Sequence, residues 1–428
     1  MSTLKAVRGT RDLLPPDTAL WNRIEATARS VFARYNFGEI RTPVFEDTAL
    51  FARGVGEETD IVSKEMYTWE DRARAQSEKT QSLTLRPENT AGVVRAYIEH
   101  QMGETGQLQK LYYIGPQFRR ERPQKGRYRQ FSQIGAEVIG PPSAGSESPL
   151  RDAEVLEMLA TLLDELGISG WTLNLNSVGS AADRARYNET LRAALVPVVG
   201  QMCEDCQRRA VTNPLRVLDC KVPADQPIID TLPVIADSLD EESKRHFAAV
   251  LAALDAAGVP YTRNHRLVRG LDYYTRTTFE FTHGGLGAQN ALLGGGRYDG
   301  LSEAIGGPKA PGIGFAMGED RLVLTLQALE TAPVYEKAAA FIAPLGDGLN
   351  AAALALAREL RRAGLRVELG DGSFRLKKSF EAADKTARAI VILGEDELES
   401  GLLTVKTFST GIQTKVPRAE LANHLKNL

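Results

Sequence analysis

Cysteine and histidine are scarce in this chain of 428 residues, which contains three cysteines and five histidines. So few cysteines, and an odd number of them, argue against a disulfide framework and favour a reducing cytoplasm. The first residues, beginning at Met1, lack the apolar core of a secretory signal peptide. No charge-free apolar run approaches the ~20 residues that a membrane-spanning helix requires. We therefore expect a cytoplasmic protein that is not associated with a membrane.

A strong net charge is the second feature that the chain lacks. It has 52 Lys and Arg against 55 Asp and Glu, a formal charge of −3. Nucleic-acid binding by such a chain requires a local basic patch, because the molecule as a whole is not basic. The hydrophobic content of 43% and the charged content of 25% are ordinary for a globular protein, and the length allows two or three domains.

The densest local charge lies at residues 119–129, where six of eleven residues are Lys or Arg and only Glu121 is acidic. β-forming residues on both sides predict a long hairpin around this loop. Because side chains alternate along a strand, Gln133 and Glu137 share one face, while Ile134 lies on the opposite, core-facing side. A solvated basic loop is the simplest interpretation. The polar strand face favours instead a polar ligand that is phosphorylated near the loop.

Three other segments carry candidate site residues. Glu88 and Thr90 lie at a predicted strand-to-helix junction, although an acid there also suits a helix N-terminus. Arg269 precedes Gly270, whose missing side chain lets a guanidinium approach a ligand closely, and a surface arginine is the alternative. Arg321 lies in the first turn of a predicted helix, where the helix dipole disfavours a cation. An anionic ligand would offset that penalty, so the position indicates function.

Two motifs resemble ligand sites without completing them. The glycine-rich residues 293–300 match neither the GxxxxGK[ST] phosphate loop nor the GxGxxG dinucleotide pattern, and they predict a flat backbone surface for a ligand ring. Cys203 and Cys206 form a CxxC motif with Cys220 nearby. A structural zinc site needs a fourth ligand, and His246 is distant along the chain. We therefore predict three thiols that are buried or idle and bind no metal.

The order of predicted elements indicates separate domains, because the last 90 or so residues alternate strands and helices as a small α/β domain does. The predicted parts are a larger domain at 1–330 with a helical insertion at about 180–258, a linker at 331–337, and the α/β domain at 338–428. A helix near the start leads to a predicted strand at 39–46 that contains Pro43. This strand is either a dimer interface or an ordinary sheet edge.

Five segments in this order resemble the class II aminoacyl-tRNA synthetases and, more specifically, the histidyl-tRNA synthetase family. They are residues 20–46, 85–88, 118–131, 267–274 and 312–326. The stretch Leu-Val-Arg-Gly-Leu-Asp-Tyr-Tyr, which begins at Leu267, is similar to a peptide specific to that family. The resemblance covers nearly the whole chain. Asn89 departs from the family, which more often has glycine there, and we expect this to alter the turn rather than the chemistry.

The resemblance implies an α+β protein with a class II catalytic domain on an antiparallel sheet, a helical insertion and a small C-terminal α/β anticodon-binding domain. It also implies a homodimer. The implied reaction uses ATP, bound with Mg²⁺, to activate L-histidine as histidyl-adenylate. The histidine is then transferred to the 3′ end of tRNA(His).

The resemblance also implies roles for individual residues. Arg119 would hold the α-phosphate and the substrate carboxylate, Arg269 would stabilise the α-phosphate in the transition state, and Arg321 would bind the far end of ATP. Glu121 joins the ATP-binding set. The histidine-binding set is Glu88, Thr90 and Gln133 for the ammonium group, Glu137, Tyr273 and Tyr274 for the imidazole, and Tyr298 for the pocket wall. Which acid meets the amine and which the ring is left open.

A synthetase-like regulatory subunit of histidine biosynthesis, which does not charge tRNA, is the main alternative. Such paralogues tend to lose the family's histidine-specific arginine and its C-terminal domain, whereas this chain has Arg269 and residues 338–428. A class II synthetase for another amino acid is opposed by residues 267–274. A non-enzymatic RNA-binding protein is opposed by the retained set of arginines.

Overall fold

The computed structural model describes residues 3–57, 59–71, 80–124, 126–286, 290–329 and 337–428. The chain divides into two compact units, Met1–Pro333 and Val334–Leu428. The predicted linker at 331–337 lies outside the described residues except for Lys337. Among the helices of the described ranges, none is long and apolar enough to cross a membrane.

The first unit contains eleven strands and ten α-helices within its described residues. The strands are β1 Gly38–Glu39, β2 Phe45–Asp47, β3 Tyr67–Asp71, β4 Gln81–Leu85, β5 Gln109–Phe118, β6 Gln130–Ile139, β7 Trp171–Ser177, β8 Thr262–Arg263, β9 Thr275–His283, β10 Ala291–Arg297 and β11 Gly312–Gly318. The helices are α1 Thr18–Arg34, α2 Thr48–Val55, α3 Thr90–Glu99, α4 Pro149–Leu166, α5 Ala181–Leu195, α6 Glu204–Thr212, α7 Gln226–Ile229, α8 Glu241–Ala257, α9 Leu301–Ala304 and α10 Glu319–Ala328.

An eight-stranded sheet in the order β1-β5-β6-β11-β10-β9-β7-β8 organises this unit. The six central strands pair antiparallel, as predicted, while the two-residue edge strands β1 and β8 pair parallel to their neighbours. The predicted hairpin is β5 and β6, which stay in register over all ten residues of each strand. Its alternation is as predicted, because Ile134, Ala136 and Val138 enter the main core.

Helices α1 and α4 cover the core side of the sheet. Helix α1 buries Ile24, Ala28 and Val31 at the three- and four-residue spacing that its sequence shows. Helix α4 is tied to the sheet by the fully buried Arg297, whose Nη2 donates to Asp152 at 2.7 Å. Removing one partner of such a buried ion pair lowers the free energy of unfolding by about 3–5 kcal/mol. The contact therefore holds the end of β10 against α4.

The single strand predicted at 39–46 is wrong, because the chain breaks into β1 and β2 around Pro43. Proline has no N–H to donate to a ladder. The buried guanidinium of Arg86 takes the place of a neighbouring strand there, with Nη1 donating to the Thr42 carbonyl at 3.1 Å and Nε to the Pro116 carbonyl at 2.9 Å. Arg86 therefore joins the break to the end of β5.

The helices α5 to α8 lie between β7 and β8, where the sequence predicts an insertion. Most of this segment has a core of its own, separate from that of the sheet. Tyr187 and Leu191 of α5 are fully buried in it. The capping box of Ser180 and Asp183 starts α5 at the predicted boundary.

The second unit is a five-stranded mixed sheet with helices, as the alternation of its sequence predicts. Its strands are β12 Ala338–Pro344, β13 Val367–Leu369, β14 Ala387–Leu393, β15 Leu402–Thr407 and β16 Gln413–Pro417, in the order β13-β12-β14-β15-β16. Its helices are α11 Asn350–Arg362, α12 Leu376–Thr386, α13 Glu395–Ser400 and α14 Leu421–Lys426. The unit encloses its own core, so it does not depend on the first unit to bury its apolar faces.

Candidate active site

A cavity of about 950 Å³ opens on the polar face of the large sheet in the first unit. The predicted site residues converge on it, although they come from segments as far apart as residues 88 and 321. Ten of them line the cavity, namely Glu88, Thr90, Arg119, Glu121, Gln133, Arg269, Tyr273, Tyr274, Tyr298 and Arg321. The eleventh, Glu137, is fully buried in contact with two of these lining residues.

Glu137 is buried directly behind the lining of the cavity. Its carboxyl group accepts hydrogen bonds from the Thr90 hydroxyl at 2.8 Å and the Tyr298 hydroxyl at 2.7 Å. Burial raises the pKa of Glu137 to about 8, although both hydroxyl contacts oppose that rise. Gly314, opposite Glu137 on β11, leaves the room that this carboxyl group needs, because a Cβ there would overlap it. The site thus holds an acid whose charge is sensitive to what binds beside it.

Three tyrosines form an aromatic wall next to Glu137. The ring centroid of Tyr273 lies 4.8 Å from that of Tyr274 and 5.9 Å from that of Tyr298, both in edge contacts. Burial raises the pKa of Tyr273 and of Tyr298 well above the usual value, so both hydroxyl groups stay protonated. A flat ring with a polar edge fits such surroundings, because its face meets the wall and its edge meets the carboxyl group.

Glu88 serves the helix and the cavity at once. Its two carboxylate oxygens accept hydrogen bonds from the backbone N–H groups of Thr90 at 2.8 Å and Ala91 at 3.0 Å, at the start of α3. This is the helix-terminus role that the sequence offers as the alternative, and the side chain also lines the cavity. Burial is the main cause that raises the pKa of Glu88. Nearby, the buried Oε1 of Gln133 has no hydrogen-bond partner within the described ranges, which leaves an acceptor for a ligand.

Arg119 is oriented before any ligand arrives. Its Nε donates to the Pro87 carbonyl at 2.9 Å, and its guanidinium lies 5.3 Å from the centre of the Phe131 ring. Glu121 stands 3.8 Å from Arg119 Nη1 and 3.3 Å from Arg127 Nη1. Glu121 therefore connects Arg119, which is predicted to bind phosphate, with Arg127 further along the basic loop.

Arg269 lies flat on the glycine-rich strand β10. Its Nη1 donates to Glu280 at 2.6 Å, and a Cβ at Gly294 would lie 2.5 Å from its Nη2. A Cβ at Gly296 would likewise lie 2.7 Å from the ring of Tyr274. These glycines therefore make room for two side chains of the site itself. Whether they also present backbone to a ligand ring stays a prediction, and Gly294 does line the cavity.

Arg321 lies in the first turn of α10, as predicted. Its Nη1 donates to the Ala291 carbonyl at 2.6 Å. Burial, with Arg127 and Arg269 as nearby cations, lowers the pKa of this guanidinium. Arg119, Arg269 and Arg321 thus face one cavity that acids also line, and their three guanidinium groups together can bind a polyanionic ligand.

Comparison with known proteins identifies the family. A model described as histidyl-tRNA synthetase matches residues 9–322, and one described as an anticodon binding domain matches residues 339–428. The chain belongs to the histidyl-tRNA synthetase family. It is 74% identical over 425 residues to a histidine–tRNA ligase of Koribacter versatilis (strain Ellin345), covering 99% of this chain and 96% of that one.

Other histidyl-tRNA synthetases are also similar to this chain over nearly their full length. A histidine–tRNA ligase of Solibacter usitatus (strain Ellin6076) is 56% identical over 424 residues, 99% of each chain. The crystal structure of apo histidyl-tRNA synthetase from S. aureus has a TM-score of 0.80 at 39% identity, covering 99% of this chain and 100% of that one. The class II catalytic fold and the C-terminal anticodon-binding domain, both expected from the sequence, are thereby confirmed.

Several contacts around this histidyl-tRNA synthetase site were not predicted. The guanidinium of Arg11 pairs with Asp320 at the start of α10 and lies 4.2 Å from the centre of the Tyr128 ring in the basic loop. The backbone N–H of Arg120 donates to the Glu65 carbonyl at 2.7 Å. These contacts join parts of the chain that are 55 to more than 300 positions apart, and no sequence pattern marks them.

Proposed function

We propose that this chain activates L-histidine with ATP and transfers it to the 3′ end of tRNA(His). One observation carries the proposal. The buried carboxyl group of Glu137 is fixed by Thr90 and Tyr298, which line the same cavity as Arg119, Arg269 and Arg321. Joining histidine to a nucleotide requires an acid that recognises the imidazole ring and cations that bind the phosphates. Both are present at this cavity.

Histidine recognition uses two sets of contacts in this proposal. The imidazole packs against Tyr273 and Tyr274, and a ring N–H donates to Glu137. The ammonium group lies near Glu88 and Gln133, where the free Oε1 of Gln133 accepts one of its hydrogen bonds. An analogue that lacks the ring N–H leaves Glu137 without that donor, so discrimination against it is strong.

The first chemical step joins two anions. A carboxylate oxygen of histidine attacks the α-phosphorus of ATP, the bond to the β-phosphate oxygen breaks, and pyrophosphate leaves. Negative charge builds on the α-phosphate oxygens, and fixed cations aimed at them lower the barrier. Arg119 and Arg269 supply these cations, and Arg321 with Glu121 belongs to the part of the site that holds ATP. Class II synthetases use ATP with a divalent metal in general, and we propose Mg²⁺ carried in with the nucleotide.

The second step transfers the activated histidine. The terminal hydroxyl group of the tRNA attacks the carbonyl carbon of the adenylate, and AMP leaves. The basic loop at residues 119–129 borders the cavity through Arg127 and Tyr128. In this proposal it binds phosphates of the acceptor end. The residues matched as an anticodon binding domain, 339–428, bind the other end of the tRNA.

The regulatory-subunit alternative is not favoured. Proteins named histidine–tRNA ligase match nearly the whole chain at 74% and 56% identity. The histidine-specific arginine is also present, and Arg269 lines the cavity.

We also propose that the chain is a cytoplasmic homodimer. The small sheet β2-β4-β3 exposes Phe45 and Trp69, which lie in edge contact with ring centroids 6.1 Å apart. Paired apolar side chains exposed on one sheet favour burial against a second copy. The predicted interface segment at 39–46 includes Phe45.

Two assays test the function. We expect ATP–pyrophosphate exchange that depends on histidine and charging of tRNA(His) with histidine. Exchange without histidine dependence, or with another amino acid preferred, would refute the histidine assignment. Histidine-dependent exchange with no charging under any condition would refute the transfer step and favour a regulatory role.

A further inference from the structure

The three cysteines of the insertion gather around an aspartate. Cys203 and Cys206 flank the start of α6, Cys220 follows a short 3₁₀ turn at Pro214–Asp219, and Asp225 ends another at Pro223–Asp225. One potential ligand atom from each residue lies within 4.8 Å of all the others. The fourth partner that the sequence did not reveal is thus a carboxylate, not a histidine.

Two distances between these atoms are those expected for ligands of one tetrahedral metal ion. The Sγ atoms of Cys203 and Cys220 are 3.9 Å apart, and Asp225 Oδ2 is 3.3 Å from Cys220 Sγ. A disulfide needs a sulfur–sulfur distance of about 2.05 Å. Two thiolates on one tetrahedral zinc, each at ~2.3 Å, lie roughly 3.8 Å apart. The arrangement therefore matches metal binding and not a disulfide.

Asp225 gives a second, independent reason to expect a metal ion at this cluster. Its side chain is 1% exposed, yet no Lys, Arg or His pairs with it anywhere in the described part of the chain. Its two oxygens accept from the backbone N–H of Cys203, both at 3.2 Å, and from the Cys220 thiol. These hydrogen bonds stabilise the carboxylate without neutralising it, and a divalent metal among the three sulfurs would supply a positive charge.

We propose that Cys203, Cys206, Cys220 and Asp225 bind one structural Zn²⁺. Three soft sulfur ligands with one carboxylate select zinc over magnesium or calcium, which prefer oxygen ligands alone. Four protein ligands fill a tetrahedral shell and leave no position for substrate, so the ion is structural. This assignment replaces the expectation of three thiols without a metal.

The metal would brace one wall of the active site, a consequence that rests on the proposed function. Cys220 itself lines the cavity. In the turn before it, Arg216 Nη1 donates to the Gly270 carbonyl at 3.2 Å, next to Arg269. Beyond it, Gln226 accepts from Arg266 at 2.6 Å. Closing the four-ligand loop would therefore fix the backbone that carries Arg269.

Metal content of the full-length chain, purified without a metal-binding tag, tests the site independently of activity. We expect about one tightly held zinc per chain, and cobalt exchanged into the site should show thiolate-to-metal charge-transfer absorption. Cys206→Ser and Asp225→Asn should lower the zinc content to less than about a tenth of that. Asp205→Asn is the matched control, because Asp205 lies inside the same CxxC motif but its side chain is 61% exposed.

Clear results would overturn the proposal. They are native protein with three freely reacting thiols and no zinc, a disulfide among the cysteines, or a metal other than zinc. Full zinc content in folded Asp225→Asn would remove Asp225 from the ligand set. If Cys206→Ser does not fold, zinc stoichiometry and the cobalt spectrum of the native chain still decide. A chain that holds zinc but lacks histidine-dependent exchange keeps this proposal and refutes only the proposed function.

Discussion

At the scale of the residue, Arg269 shows how much of the chemistry rests on one guanidinium. It lies on Gly294, donates to Glu280, and has a buried Nε with no partner among the described residues. A group held this way needs little reorganisation as charge develops on the phosphate. Its position predicts a specific pattern of kinetic loss.

We predict that Arg269→Ala lowers the kcat of histidine-dependent exchange about a hundredfold, because it removes a contact that strengthens in the transition state. The KM for histidine should change by less than about threefold, since the recognition contacts remain. Steady-state exchange kinetics measure both. Arg192→Ala, an exposed arginine on α5, serves as the control. A KM effect as large as the kcat effect would assign Arg269 to binding instead.

Glu137 predicts a pH dependence of stability. Burial raises its pKa to about 8, so between the unfolded pKa, near 4.5, and 8 the folded protein binds a proton that the unfolded chain has lost. The stability that this group contributes is therefore complete below pH 4.5 and falls as pH rises towards 8, by up to ~1.4 kcal/mol per pH unit.

Glu137→Gln should remove this fall, because glutamine resembles the protonated acid. The thermal midpoint of the native protein should drop relative to the variant between pH 5 and pH 8. The exposed Glu189→Gln is the control and should follow the native protein throughout. Parallel curves for the native protein and Glu137→Gln would show that Glu137 titrates as an ordinary acid.

At the scale of the element, the site forms where a strand of the hairpin meets its neighbour β11 at a glycine, a position without a side chain. Gly314 stands opposite Glu137, and a Cβ there would also approach the Ala136 carbonyl to 2.7 Å. Neither the carboxyl group nor the backbone of a central strand can move away without cost. Recognition of the ring thus depends on a position with no side chain.

We predict that Gly314→Ala destabilises the protein by about 1–3 kcal/mol through overpacking and displaces the Glu137 carboxyl group. Histidine-dependent exchange should fall through a raised KM for histidine, measured beside thermal unfolding. Gly38→Ala, in β1 of the same sheet with nothing within 4 Å of the added Cβ, should leave both unchanged. Normal histidine affinity in folded Gly314→Ala would contradict the placement of Glu137.

The helices and strands could be predicted because each is marked by a pattern within one short stretch of sequence. Alternation along β6 separates Gln133 and Glu137 from the core, and helical spacing marks α1 and α4. The arginine contacts of the site differ, since Arg11 meets Asp320 only after folding brings the chain's start to α10. The role of Asp225 was missed for a similar reason, because aspartates are common and only the fold shows which one meets the cysteines.

At the scale of the whole molecule, the two units have different proposed tasks. The first activates histidine, and the second binds the anticodon end of the tRNA. Every predicted site residue lies in the first unit, which has its own core, and the second unit has another. The alternation of strands and helices over the last 90 or so residues predicted a separate domain, and the family resemblance added its expected role in anticodon binding.

We predict that a chain ending at Leu329 retains histidine-dependent exchange within about threefold, because the described residues that line the cavity belong to the first unit. Charging of tRNA(His) should fall more than about tenfold, a loss of at least 1.4 kcal/mol of tRNA recognition. Comparing both assays on one preparation makes exchange the internal control. Equal loss in both would show that the first unit does not work alone.

The double use of Glu88 means that an occupied cavity can be detected in the backbone. Its oxygens hold the amide hydrogens of Thr90 and Ala91 at the first turn of α3. Histidine bound beside the same carboxylate would stabilise that turn, so local opening there becomes rarer. Hydrogen–deuterium exchange at these two amides should slow when histidine is added without ATP. Amino-acid binding would then be detected before any phosphate chemistry. An unchanged rate of hydrogen–deuterium exchange at these amides would show that the ammonium group binds elsewhere.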